Sequence, residues 1–450
     1  MSSPLTHGLV TTDAVGRAFA DERLLAAMHR FEAALARAEA AAGVIPDAAA
    51  SSIAEVALAT TDADIDTLRA SLRANATVSI AVVEALVARV EQVKPDAARD
   101  VHWGATSQDV YDTALILCLR DAWASIENDH LRLIAALDAL AVRHAGAVML
   151  GRTLLQPAVP TTFGLKAAGW LGGVARGWRA WSEAFDRTQV IQFGGAAGTL
   201  ASLGTHGPAV EQALADELGL DVPDAPWHAH RDRLAGFVAA AGVYVGTLGK
   251  IARDVSLLMQ PEIAEVAEIG GGSSTMAHKR NPSKCVAVLA CAHRMPGLVA
   301  TMLATMTQEH ERAVGGWQAE GATLVDAVQT SAAAVAAVTD VVESLTVDEA
   351  RMRQNIDATR GTVFAERLTM RIAPELGRAA AVALVKTALQ ESARSGRSLA
   401  EVVAATPDLT ATLTASDRAH LFDATSYLGS AETFRARLLT AAAVPGSRKH

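Results

Sequence analysis

Three stretches of the chain combine residue types that could do chemistry. The first is Gly270-Gly271-Gly272-Ser273-Ser274-Thr275-Met276-Ala277-His278-Lys279-Arg280-Asn281-Pro282. Three consecutive glycines make a mobile segment. A loop able to close on a ligand, with a hydroxyl, an ammonium and an amide, has the makings of a catalytic lid. Asn281 and Pro282 read as the N-cap and first residue of a helix. The glycine-to-lysine spacing is wrong for a phosphate-binding P-loop, and no Ser or Thr comes directly after the lysine.

The second stretch is His102-Trp103-Gly104-Ala105-Thr106-Ser107-Gln108-Asp109. Thr106 and Asp109 have capping-box spacing, so hydroxyls and free N–H groups gather at a helix start. Such a place suits a carboxylate or phosphate, and it is equally the form of an ordinary cap. The third stretch, Gly151-Arg152-Thr153-Leu154-Leu155-Gln156-Pro157, reads as an irregular loop pinned by Pro157 and Pro160. Arg152 and Gln156 could hold polar substrate atoms there, or the stretch could be no more than a capped turn.

Other features carry less. The glycine-rich Gln192–Thr199 comes after no convincing strand, which argues against a dinucleotide fingerprint. His228 and His230 form an HxH pair without a third ligand in sequence, so no metal is expected. Glu309, His310, Glu311 and Arg312 read as solvated charge near a helix start. The basic run His278–Arg280 is a poor nuclear signal in an acidic chain. Cys118, Cys285 and Cys291 fall in apolar helical contexts and read as packing residues of a protein from a reducing compartment.

The elements that must position these groups are helices. Aromatics are only 4% of the residues and alternating β-branched runs are scarce, whereas alanine and leucine dominate. In Asp21–Ala42, Leu24, Met28, Phe31, Leu35 and Ala38 form one apolar stripe, with Gly43 as C-cap and Pro46 as stop. Long helices are expected over Thr113–His144, Thr162–Phe185, Arg233–Met259, Pro282–Thr307 and Ala319–Leu345. Helices of such length bury little of themselves alone and predict a bundle shared between subunits. The all-α chain divides into an N-terminal helical zone (1–112), a central long-helix zone (113–355) and a C-terminal zone of short helices (356–450).

With 450 residues, half of them hydrophobic, the chain can bury a large core. Its net charge of −9 disfavours general nucleic-acid binding. Met1–Val10 has neither the basic nor the apolar region of a signal peptide, so a cytoplasmic location is expected. Leu234–Gly249 is uncharged but short for a membrane span, and it suits the centre of a bundle. No second long stretch is expected to accompany it, so no membrane partner is expected either.

Taken together and in this order, the three stretches resemble the fumarase/aspartase superfamily, whose signature is Ser-Ser-x-Met-Pro-x-Lys-x-Asn. Within it the chain is most similar to the bacterial cycloisomerases of 3-carboxy-cis,cis-muconate. Gly104–Thr113 (GATSQDVYDT), Gln192–Leu200 (QFGGAAGTL), Pro226–Leu234 (PWHAHRDRL), Gln308–Trp317 (QEHERAVGGW) and Tyr427-Leu428-Gly429 carry that likeness. It extends over essentially the whole chain. It implies a three-domain helical fold, a homotetramer with a twenty-helix core, active sites built from three subunits, and no cofactor. It also implies a small di- or tricarboxylate substrate. A base removes the proton beside a carboxylate, and the aci-carboxylate intermediate expels a group from the next carbon. By the same likeness Ser273, Lys279 and His102 are the catalytic set, with Ser273 the lid serine. Lys279 and Asn281 hold the substrate carboxylate, Thr106 and Ser107 are a carboxylate-binding pair, and Gln156 and Arg312 line the pocket.

The chain departs from the superfamily pattern in places. Leu154 stands where many members have the histidine of Thr-His-x-Gln, which protonates the leaving group. A leaving amine or hydroxide needs that proton, but a leaving carboxylate, with a pKa of about 4, does not. The resemblance therefore implies reversible conversion of 3-carboxy-cis,cis-muconate to 4-carboxymuconolactone, a step of protocatechuate catabolism. The same logic admits nitrite loss from nitrosuccinate to give fumarate, and an inactive structural member is a third reading. Ala277 replaces the signature proline, which frees the lid backbone. Gly321 and Ala322 come after Glu320 where cycloisomerases usually show Trp and Glu.

Overall fold

The computed structural model describes residues 4–59, 64–272, 276 and 279–442. Ser273 and Ala277 lie outside the described residues. The protein is all-α. Its strands, among the described residues, are one antiparallel hairpin and the short pair Val266–Ala267 with Thr346–Val347.

Five long helices appear where apolar periodicity runs unbroken: Ser107–Arg143, Phe163–Asp186, Asp232–Leu258, Ser283–Ala304 and Gly316–Ser344. The first begins a turn and a half earlier than its hydrophobic pattern predicts. The segment Ser107–Asp112 is helical because Asp109 caps it: the Asp109 carboxylate accepts from the Thr106 N–H at 3.1 Å, the acidic arm of a capping box. Asp232–Leu258 is not alone in its length and hydropathy. Ser283–Ala304 and Gly316–Ser344 are also long and apolar enough to cross a bilayer, contrary to the expectation of a single such stretch. Scattered charges hide them from a search for uncharged runs.

The chain forms two compact units. One comprises Met1–Leu131, Gly177–Gly249 and Ala287–Ala337, the other Arg132–Arg176, Lys250–Val286 and Val338–His450.

In the first unit, helix Asp21–Ala41 packs on Asp47–Ala59 and Gly207–Leu218. Met28, Phe31, Leu35 and Ala38 are buried as the stripe predicts. The helix ends in a Schellman motif, with Val44 N–H on Glu39 C=O and Gly43 N–H on Ala40 C=O. A second cluster stacks Trp123 between Trp178 and Phe185, with Trp181, Phe237 and Tyr244 around it. His130 stacks on Trp178 and bonds the Tyr244 hydroxyl at 2.8 Å. Burial pushes its imidazole down to about 3, so it is neutral in the core.

In the second unit the Gly151–Pro157 stretch is not an irregular loop. Val148–Thr153 pairs with Gln156–Thr162, with an irregularity between Leu150 and Arg152. The prolines fit because a two-stranded hairpin has two free edges, where a missing N–H costs no ladder bond. Leu150 packs with Ile356, Phe364 and Ala424 and anchors the hairpin. Helices Ala365–Leu376 and Arg378–Ser395 pack together over Leu368, Ile372, Val385 and Leu399.

Candidate active site

In the first unit, four segments far apart in sequence meet on one hydrogen-bond network. Its centre is Asp109, fully buried. Its carboxylate accepts from the N–H groups of Gly194 (3.1 Å) and Gly195 (3.0 Å), from Thr106 N–H, and from His228 Nε2 at 2.6 Å. The glycine-rich stretch therefore wraps a carboxylate of the protein. Gly195 takes a left-handed φ of 66°, and a Cβ there would lie 2.7 Å from the Gly104 carbonyl, so the loop needs glycine to lie against the His102–Asp109 turn. The HxH pair divides: His228 is buried on Asp109, with its own carbonyl held by Gln108 Nε2 at 2.9 Å.

One turn further along the helix, Asp112 and Glu320 enclose Arg231, which is fully buried. Arg231 Nη1 donates to Asp112 at 2.6 Å, Nε donates to Glu320 at 2.9 Å, and Trp317 Nε1 donates to Asp112 at 2.8 Å. Burial alone would lower the guanidinium, but the two carboxylates overcome it and hold it above its ordinary range. Burial raises Glu320. This triad ties the starts of helices Ser107–Arg143, Asp232–Leu258 and Gly316–Ser344 to one another, and with them the groups they carry.

Those groups suit an anion. Thr106 and Ser107 sit at the helix N-terminus, partly exposed, and neither hydroxyl is bonded to another described residue. Arg312 is not solvated charge: it is half-buried, Nη2 donates to the Gly195 carbonyl at 3.1 Å, and its buried Nε has no partner among the described residues. His102, with a left-handed φ of 58°, holds Glu32 through Nδ1 at 2.6 Å. Thr106, through its N–H, and Arg312, through Gly195, belong to the Asp109 network, while His102 pairs with Glu32. Hydroxyls at a helix N-terminus and a guanidinium are groups of the kind that suit a carboxylate.

In the second unit, Gln156 is exposed on the hairpin and lines a cavity of about 550 Å³ with Arg152, Asn355 and Thr359. Arg152 is committed elsewhere. It forms a two-pronged ion pair with buried Glu265 at 2.7 and 2.9 Å, and Asn355 braces the same carboxylate. Leu154 and Leu155 form the hairpin tip, both in left-handed backbone (φ 51° and 63°), and Leu154 is 97% exposed.

The glycine-rich segment is pinned at its base. Asn281 N–H donates to the Gly271 carbonyl at 2.7 Å, and its side-chain amide donates to the Gly272 carbonyl at 3.1 Å. The helix starts at Ser283 rather than Pro282, and Asn281 is not its cap. Glu268 is: its buried carboxylate accepts from the N–H groups of Lys284 and Cys285, a carboxylate on a helix N-terminus. Lys279 is exposed at the segment's far end. Ser273, placed on this segment by the sequence, lies outside the described residues.

Sequence reasoning passes over Glu32, Glu268 and the Arg231 triad. A signal for Glu32 is present: it lies four residues after Met28, and Glu39 comes seven later, both at core-facing spacing.

A long-helix fold that presents hydroxyls, a guanidinium and an imidazole at a helix start has the architecture of lyases acting on carboxylates. The chain belongs to the lyase family of the fumarase/aspartase superfamily: residues 10–297 match the family model described as lyase, and residues 361–438 match the C-terminus of adenylosuccinate lyase. It is 44% identical to 3-carboxy-cis,cis-muconate cycloisomerase of Bradyrhizobium diazoefficiens, over 97% of this chain and 98% of that one. It superposes on the crystal structure of the 3-carboxy-cis,cis-muconate lactonizing enzyme from Pseudomonas putida with a TM-score of 0.92 at 40% identity, covering 98% and 99% of the two chains. Nitrosuccinate lyase of Streptomyces davaonensis is 40% identical over 93% of this chain and 90% of its own.

Proposed function

We propose that the protein reversibly cyclises 3-carboxy-cis,cis-muconate to 4-carboxymuconolactone in the cytoplasm, as a homotetramer with shared active sites. The observation that carries this reading is Leu154, an apolar side chain 97% exposed at the hairpin tip, where the superfamily's leaving-group histidine would stand. An enzyme without that imidazole suits a leaving group stable as an anion. The full-length likeness to cycloisomerases supports the same choice.

In the lactonising direction a substrate carboxylate oxygen bonds to the diene, and the displaced electrons collect on the adjacent carboxylate as an aci-carboxylate. Protonation of the carbon then completes an isomerisation that needs no co-reactant. Ser273 is the group that gives this proton and removes it in reverse. A serine hydroxyl is a weak base unless a cation and N–H donors stabilise its alkoxide, and Lys279 is assigned to that work and to the developing charge. Asn281, Thr106, Ser107, Arg312 and Gln156 are assigned to binding the substrate's carboxylates, and His102 to the charge that builds on one of them.

The test is loss of the muconate's ultraviolet absorbance on adding purified protein. Ser273→Ala is expected to lower the rate by about a hundredfold or more. Unchanged absorbance with the wild type would reject the reading. The 40% likeness to nitrosuccinate lyase favours one second reading, elimination of nitrite from nitrosuccinate. It has the same tolerance for a missing leaving-group acid, and nitrite release would identify it.

A further inference from the structure

Helix Asp21–Ala41 carries two carboxylates on a face where its sequence pattern calls for apolar side chains. The Glu32 side chain is 0% exposed, and His102 Nδ1 lies 2.6 Å from its Oε1. Its other oxygen has no partner among the described residues. A buried carboxylate with one partner is a poor device for stability, because its desolvation exceeds what a single hydrogen bond returns. What the contact does control is the imidazole. An ionised carboxylate only accepts, so Nδ1 must carry the proton. Nε2 is then the ring atom left for a ligand, on a side chain 18% exposed.

We propose that Glu32 is a positioning residue for His102: its buried carboxylate fixes the ring through Nδ1–H so that Nε2 is the atom presented to the substrate carboxylate. The proposal rests on the carboxylate-substrate reading above and adds to it a residue that the signature does not contain.

The charges around the pair favour a protonated ring. Burial alone would push His102 down, but the Glu32 charge, its hydrogen bond and the charge of Asp109 outweigh it and hold the imidazole above its ordinary value. Glu39, one face-repeat along the helix, is pushed up to about 9 by burial and then by Glu32 and Asp100. It is neutral at pH 7. Asp100 itself lies 3.7 Å from Arg99. With both ring nitrogens protonated, Nε2–H is a charge-assisted donor to a carboxylate. Glu32 thereby sets the pH range over which His102 can stabilise an aci-carboxylate.

The test compares Glu32→Gln, Glu32→Asp and Glu39→Gln with wild type in two measurements. The first tracks the His102 ring by NMR through pH in protein labelled with [13Cε1]-histidine, assigned by loss of the signal in His102→Asn. Glu32→Gln keeps a hydrogen-bond acceptor but no charge, so the ring is expected to titrate at lower pH. Glu32→Asp is expected to hold it nearer the wild-type position. Glu39→Gln, an amide in place of a neutral acid, is expected to leave the titration in place. The second is the pH profile of kcat/KM with 3-carboxy-cis,cis-muconate. There Glu32→Gln should lower activity roughly ten- to a hundredfold at neutral pH and move the alkaline limb to lower pH, while Glu39→Gln matches wild type. A Glu32→Gln protein whose His102 titrates as in wild type overturns the proposal. If wild type leaves the muconate untouched, the substrate reading fails, and the NMR titration alone decides the Glu32–His102 pair.

Discussion

Glu39 and Arg231 show how the same burial leads to opposite outcomes for single residues. Among the described residues Glu39 has no cation against it, so it keeps its proton, and the native state resists an ionisation that the unfolded chain undergoes freely. Its folded value of about 9 against an ordinary 4.5 means that stability falls as pH rises from about 4.5 to about 9. Glu39→Gln removes that dependence. At pH 7 it is expected to stabilise the protein by about 3 kcal/mol, with the gain vanishing near pH 4.5, as read from urea midpoints at several pH values. Arg231 is the reverse case. Asp112 and Glu320 both pair with it. Arg231→Met would strand two buried carboxylates and is expected to cost about 3–5 kcal/mol. Adding Glu320→Leu should restore part of that loss, and chemical denaturation of the single and double variants checks it.

At the scale of elements, the hairpin tip carries backbone strain, and the base of the glycine-rich segment needs a backbone that glycine adopts freely. Two leucines occupy left-handed backbone at the hairpin tip, where Asn-Gly would sit without strain. Leu154→Asn combined with Leu155→Gly is expected to raise stability by about 1–2 kcal/mol in thermal or urea unfolding. If the leucines serve the reaction or the assembly, turnover falls at the same time. In the segment beginning at Gly270, a Cβ on Gly271 would lie 2.0 Å from the Asn281 carbonyl, at a left-handed φ of 70°. Gly271→Ala must therefore break the Gly271–Asn281 clasp. It is expected to reduce kcat/KM at least about tenfold with little change in unfolding midpoint, because Glu268 still caps the adjoining helix.

For the whole molecule the question is what covers the long helices. Val243 is 68% exposed, Val286 52% and Leu303 48%. In Ser283–Ala304, only 22% of the most apolar window is buried within one chain. Apolar faces of this length call for either a bilayer or other protein helices. Extracted without detergent, the protein is expected to scatter light as four copies of a 46.8 kDa chain. Val243→Glu, on the exposed side of helix Asp232–Leu258, is expected to yield smaller species and lower activity together. A protein recovered only in detergent would contradict the assembly.

The amino-acid sequence alone determined the helical class and four of the five long helices to within three residues, because apolar periodicity and helix-stopping residues act locally. It misjudged the Gly151–Pro157 stretch, since whether prolines lie in a loop or on a hairpin's free edge depends on a partner strand. Residue types and spacing alone gave Gln192–Thr199 and the His228/His230 pair no role and read Arg312 as solvated charge; only the family resemblance put Arg312 in the pocket. Only folding brings Gly194, Gly195 and His228 onto Asp109 and Arg312 onto Gly195. The same holds for Glu32 and His102, seventy positions apart. A carboxylate's charge state and its partner are set by which distant groups share its low-dielectric surroundings, and no local pattern records that.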